Sequence, residues 1–193
     1  MRDTVTTAAA SSPVSVEEAA DHCYVTDAAE YPMLRTLVDR AVEYVEAHTS
    51  RQCINATHTL YLDGFPAEIK LPVLPVSSVT SIAYTDTDGD SQTLSSSNYQ
   101  TQLRGNDNPA IIKPAYGCSW PSTRGDTFNV VTIVYVAGYG SSSSDVPHVL
   151  RAAVLLLAKH WYDQRDPLDE RTQNSVPHSL DSLLSLGGWG VYS

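Results

Sequence analysis

The chain has 193 residues, with 12 basic against 22 acidic side chains, a formal net charge of −10, 42% apolar and only 18% charged residues. That length suits one domain with a core plus tails, and the acidic balance has the wrong sign for neutralising phosphates, which argues against tight nucleic-acid binding. Residues 1–14 lack a signal-peptide apolar run and nothing approaches the roughly 18 apolar residues of a membrane span, so the expectation is a protein made in the cytoplasm without a membrane.

In chain order, residues 1–14 are rich in Ala, Ser and Thr and read as a flexible arm that stays disordered until a neighbour orders it. Ser15 and Glu18 form a Ser-x-x-Glu capping pattern, which predicts a helix over 15–24 with Val16, Ala19, Ala20 and Cys23 on one face. Asp27 with Glu30 signals a second start. Leu34, Leu37, Val38, Ala41 and Val45 follow at three- and four-residue steps, which predicts a helix over 30–49 and, with the first, a helical hairpin. Its charged residues Arg35, Asp39, Glu43 and Glu46 lie off that stripe.

Over 57–137 the texture changes to short β-branched and aromatic runs broken by Gly, Pro, Asn and Asp, as in short antiparallel strands. Strands are expected near 58–63, 68–71, 77–85, 91–94, 99–103, 110–113 and 128–136, with a tight turn at Asp88-Gly89. Pro72 and Pro75 remove ladder donors, so that segment is an edge or a crossing.

Asp145 and Pro147 then open a third helix over 147–163. It carries Leu150, Val154, Leu157 and Trp161 on one stripe, yet Ala152, Leu155, Leu156 and Ala158 leave little of its middle polar. A helix apolar nearly all round is buried on several sides. Leu150, Val154, Leu155, Leu156 and Trp161 are therefore candidates for packing between subunits of an oligomer. Asp166-Pro167 ends the helix. Pro177, Leu180, Leu183 and Leu184 suggest a short amphipathic helix closed by Gly187-Gly188, and Trp189 and Tyr192 are anchors that need a docking site, on a partner or on the chain's own domain.

Sites of chemistry are sparse. The three cysteines, Cys23, Cys53 and Cys118, show no CxxC pair, so reduced thiols are expected and no metal or cofactor. Asp86, Asp88 and Asp90 have the look of a calcium loop, but Ser91 and Ser97 stand where an EF-hand needs Gly and Glu, which favours a plain turn. The serines at 141–144 with Asp145 and His148 lack a GxSxG elbow and read as linker and cap. His160 and Asp163 are one helical turn apart, but two ligands make no metal site. No glycine pattern has phosphate-loop spacing. The expectation is a protein without catalytic residues.

Taken in order, five motifs resemble one family. They are Leu37-Val-Asp-Arg-Ala41-Val-Glu-Tyr-Val45-Glu46; Leu71-Pro72-Val-Leu-Pro75-Val-Ser-Ser-Val79-Thr-Ser-Ile82-Ala-Tyr84-Thr-Asp86; Trp120-Pro121; Val134-Tyr-Val-Ala137-Gly138-Tyr-Gly140; and Val146-Pro147 with Ala152-Ala-Val-Leu-Leu-Leu-Ala-Lys-His160-Trp161-Tyr162. The family is the gp6-like head-tail connectors of tailed bacteriophages (siphophages), with their gp8-type adaptors and the adaptors of gene transfer agents.

The resemblance covers about residues 15–166 and implies an α+β fold: a mainly helical body, made of the amino-terminal hairpin and a long carboxy-terminal helix, with a β-sheet insertion over 57–137. It implies a connector domain over 15–166 between the arm at 1–14 and an extended carboxy-terminal arm at 167–193. It further implies a structural, non-enzymatic role in the virion neck, assembled in the host cytoplasm, as a ring of twelve copies between the portal protein and a tail-side stopper or terminator protein, completing the head after DNA packaging. The carboxy-terminal arm would reach the portal, with Pro177, Leu180, Leu183, Leu184, Trp189 and Tyr192 as contacts. DNA would pass through an acidic channel without specific binding. Alternatives are a tail-completion or tail-terminator protein, or a virion-associated enzyme or glycan-binding module suggested by the Tyr and Trp of the middle segment.

Overall fold

A computed structural model of the protein describes residues 1–103, 105 and 108–164. The chain divides into two compact units, one made of Met1–Ala10 with Asn55–Tyr139, the other of Ser11–Ile54 with the segment from Gly140 onward.

The described residues of the first unit form eight strands: β1 (Arg2–Thr7), β2 (Ala56–Leu62), β3 (Ile69–Lys70), β4 (Val76–Thr85), β5 (Ser91–Thr93), β6 (Tyr99–Gln102), β7 (Ile111–Pro114) and β8 (Val131–Ala137). They form a five-stranded sheet in the order β1-β2-β8-β4-β5 and a three-stranded sheet in the order β3-β7-β6, with every pairing antiparallel. The centre of the larger sheet is β8, whose Val131, Ile133, Tyr135 and Ala137 alternate inward while Thr132, Val134 and Val136 are half-buried. This period of two is what a β-branched run imposes when one face meets a core. Leu60, Ile82, Ile112 and Ile133, drawn from both sheets, complete a core from which water is excluded. The turn between β4 and β5 is closed by Asp86, whose Oδ1 accepts from the backbone N–H of Asp88 and Asp90 at 3.1 and 2.9 Å, and by Gly89 at φ +96.

The second unit holds α1 (Val16–Cys23), α2 (Tyr31–Thr49) and α3 (His148–Asp163). Ser15 caps α1 by accepting from Glu18 N–H at 3.1 Å, and Tyr24 ends it in the left-handed region at φ 60. Past the end of α2, the Glu46 carboxylate accepts from Gln52 Nε2 and Cys53 N–H, each at 2.8 Å, fixing the exit of the chain. Leu34, Val38, Ala41 and Val45 of α2 face Leu150, Ala153, Val154, Leu157 and Ala158 of α3 as a closed apolar seam. Arg151 of α3 donates from Nη2 to both oxygens of Glu18 at 2.7 and 2.8 Å and from Nε to the Pro13 carbonyl at 3.2 Å, which ties α1 and its lead-in to α3.

The expectation of a mainly helical body is corrected by this architecture. Among the described residues three α-helices stand against eight strands in two antiparallel sheets, and the strands bury a core of their own rather than decorating a helical one. The carboxy-terminal helix is not the long element expected: α3 has 16 residues, fewer than the 19 of α2. The physical reason is that the strands over 56–137, short one by one, interleave two faces of β-branched residues, which is enough to close a core without a helix. Where the sequence suggested an arm over 1–14, residues Arg2–Thr7 form the edge strand β1 on β2.

Candidate functional site

The residues that suggested chemistry are occupied structurally. Asp86 spends its carboxylate on the turn and on Gln92 Nε2 at 2.9 Å, and the bond from Gln92, with those from the turn, holds its carboxyl below the usual carboxylate range. The Ser142 side chain accepts from Ser144 N–H while Asp145 Oδ2 accepts from Ser142 N–H at 3.0 Å, a capping arrangement around the 3-10 turn Ser143–Asp145. Asp163 pairs with Lys159 at 3.1 Å rather than with His160. Among the described residues no three His, Cys, Asp or Glu side chains gather as metal ligands, and no helix is long and apolar enough to cross a membrane. An open groove between the lead-in to α1 and the first turns of α2 is lined by Ser15, Val16, Ala28, Tyr31, Pro32 and Arg35, and its Ser15 hydroxyl is already the α1 cap.

Surfaces remain. Of the five α3 residues singled out for contacts between subunits, Leu150 and Val154 are fully buried inside the helical unit. Leu155 is half-buried, Leu156 is 39% exposed, and Trp161 is half-buried beneath Arg40, whose guanidinium carbon lies 4.3 Å from the ring centroid, with Tyr44 edge-on at 6.3 Å. Val149, 37% exposed, lies two turns before Leu156 on the same side of α3, a neighbour that the sequence reading passed over. Val149 and Leu156 thus form a short apolar stripe open to solvent. The six candidate portal contacts, Pro177, Leu180, Leu183, Leu184, Trp189 and Tyr192, lie outside the described residues.

The second feature is polar, and no motif announces it. Asp3 on β1 accepts from the Tyr135 hydroxyl at 2.9 Å through Oδ1 and meets His58 Nδ1 at 3.0 Å through Oδ2, while the His58 and Tyr135 rings stack at 5.3 Å. His58 is 3% exposed and Tyr135 is fully buried. The only signal available in sequence was a lone acid within a Thr-rich run, which points nowhere without its partners. Burial, reinforced by the Asp3 carboxylate, pushes the Tyr135 hydroxyl above the usual phenol range. Burial, then the neighbouring Glu46, pushes the Cys53 thiol up in the same way.

Both groups are acids kept neutral by folding. Their stabilising contribution is whole below their ordinary values, about 8.5 for a thiol and about 10 for a phenol, and is lost as pH rises beyond them. The thermal midpoint is therefore expected to hold to about pH 8 and to fall above it, and Cys53→Ala is expected to reduce the first part of that fall. A midpoint flat to pH 11, read by circular dichroism, would contradict the assignment.

No protein-family model and no curated protein matches this chain. Solved structures do. A chain from the neck of an empty gene transfer agent particle computed with C6 symmetry is 25% identical, with a TM-score of 0.78 over 98% of this chain and 95% of that one. A chain from the neck of the native particle computed with C12 symmetry is 25% identical, with a TM-score of 0.75 over 98% and 94%. A chain from the virion of the native particle is 24% identical, with a TM-score of 0.77 over 96% and 94%.

Proposed function

We propose that this protein is a structural component of the neck of a phage-like particle, a ring-forming adaptor between portal and tail. The observation that carries the reading is the likeness, over nearly the whole of both chains, to neck chains of gene transfer agent particles. The sixfold and twelvefold symmetries with which those necks were computed support a cyclic arrangement of copies, in which one surface of each chain meets a different surface of the next. The Val149 and Leu156 stripe supplies apolar area of the kind such contacts cover. With a net charge of −10 per chain, twelve copies would carry on the order of −120, a wall along which DNA slides without adhering. The segment carrying Leu180, Leu183, Leu184, Trp189 and Tyr192 supplies the apolar and aromatic anchors for the portal.

The test is cryo-electron microscopy of the protein mixed with the portal protein of its own particle, beside the same mixture lacking residues 176–193. A ring seated on the portal and lost on truncation is the expected result. Binding to the tail tube without binding to portal would move the protein to the tail-completion class, and binding to neither would overturn the neck reading.

A further inference from the structure

The polar latch on β1 is a receptor site built for a strand. His58 and Tyr135 reach it from β2 and β8, both buried, and the carboxylate of Asp3 answers both. The Thr6 and Thr59 hydroxyls are hydrogen-bonded, and β1 pairs along β2 from Arg2 opposite Tyr61 to Thr7 opposite Thr57. Yet β1 places no side chain in the apolar core: Asp3 and Thr4 are half-buried and the other four are exposed. Its departure would open no apolar cavity. It would take the charged acceptor away from a buried imidazole and a buried hydroxyl, a loss of about 1.5–3 kcal/mol for each hydrogen bond to a carboxylate. The site favours a bound β1, and nothing in it specifies whose.

The connection makes exchange feasible. Residues 8–12 are Ala-Ala-Ala-Ser-Ser, all small and none buried, and they end where Pro13 and Val14 are fixed in the helical unit, Pro13 through its carbonyl bond from Arg151 and Val14 by burial. A short linker between a docked strand and a fixed unit is the layout in which identical elements trade places between copies, since every bond within the site is kept. The composition of residues 1–12, too poor in apolar groups to order itself, fits an arm that takes its structure from whatever surface it finds.

We infer that in the assembled ring each chain lends β1 to its neighbour, so that Asp3 of one copy engages His58 and Tyr135 of the next. This rests on the ring reading above. Exchange closes the ring head to tail, because each chain gives one strand and receives one, and it adds to every contact a backbone ladder and the hydrogen bonds of the Asp3 carboxylate to His58 and Tyr135, without a new surface.

Two chains test it. One carries Thr7→Cys and the other Thr57→Cys, positions directly opposite in the β1–β2 register, and both carry Cys118→Ser to remove the exposed native thiol. Opposed side chains in an antiparallel pair lie within disulfide reach. Neither chain can form the bond alone. The two are co-assembled on portal, mildly oxidised, and run on non-reducing gels, with rings counted by electron microscopy of the same sample. With random mixing, about half of the Thr57→Cys chains should appear as covalent two-chain species in the ring fraction. Rings without that species would overturn the exchange and leave the ring intact, whereas no rings with either variant or with the parent chain would overturn both.

Discussion

Gly138→Ala is expected to destabilise the sheet unit by on the order of 3 kcal/mol or more. Gly138 lies at φ +140, a backbone conformation that residues with a side chain rarely adopt, and a Cβ built there would meet the Asn55 backbone N and Cα at 2.5 Å. Two costs combine: strain in the residue itself, about 1–3 kcal/mol, and displacement of backbone that cannot swing aside as a side chain could. The backbone cannot yield easily, because Gly138 N–H donates to the Pro75 carbonyl at 2.9 Å and the adjoining Ala137 pairs with both Ala56 and Val76. Urea unfolding combined with amide exchange at Leu60 and Ile133 would read the loss in the unit where it arises. A variant within 1 kcal/mol of the parent would mean that the Asn55 backbone can yield to a side chain at this position.

Leu157→Ala is expected to cost the helical unit about 2–5 kcal/mol, the range for emptying a fully enclosed leucine site. Leu157 has no exposed surface, and its neighbours along the seam, Leu34, Val38, Ala41, Leu150 and Val154, are as deeply buried. Rigid helices on both sides leave little scope for collapse, so the upper half of the range is favoured. The contrast with Leu156→Ala is the sharper measurement. Leu156 is one position along the helix but partly open to water, and its truncation should cost less than 1 kcal/mol in the isolated protein. Equal losses for the two would contradict the facing assigned to α3.

How far the sequence could be read varied by element, for physical reasons. The helices were legible because caps and apolar spacing are local: Ser15 caps α1 as its pattern with Glu18 suggests, and the stripe from Leu34 to Val45 lines one side of α2. Even there half of the capping pattern failed, since Glu18 reaches across to Arg151, 133 positions away, rather than back to its own cap. The strands from β2 to β8 lie within a few residues of their expected positions, because turn residues such as Asp86 and Gly89 punctuate them. β1 was hidden: Thr and Val in a run followed by Ala and Ser looks unordered until β2 offers an edge. The balance of the fold was misjudged because nothing in short strands taken singly announces that two sheets will enclose a core. On α3, periodicity could not separate Leu150 and Val154, spent on the chain's own interior, from Val149 and Leu156, which are open.

The sheet unit interrupts the helical one in the chain, between Ile54 and Gly140. Protein synthesis therefore delivers α1 and α2 early and α3 only after the sheet unit is complete. At about 5–20 residues per second, the apolar stripe of α2 waits on the order of ten seconds for its partner. Closing that span costs entropy that only slowly increases with its length, so the delay, more than the final stability, is the burden of the arrangement. The helices made first are the last to be covered. For that interval the nascent chain presents Leu34, Val38 and Val45 to whatever else is folding nearby, which makes this the stage at which chaperones should matter most and at which overexpression should first produce aggregates.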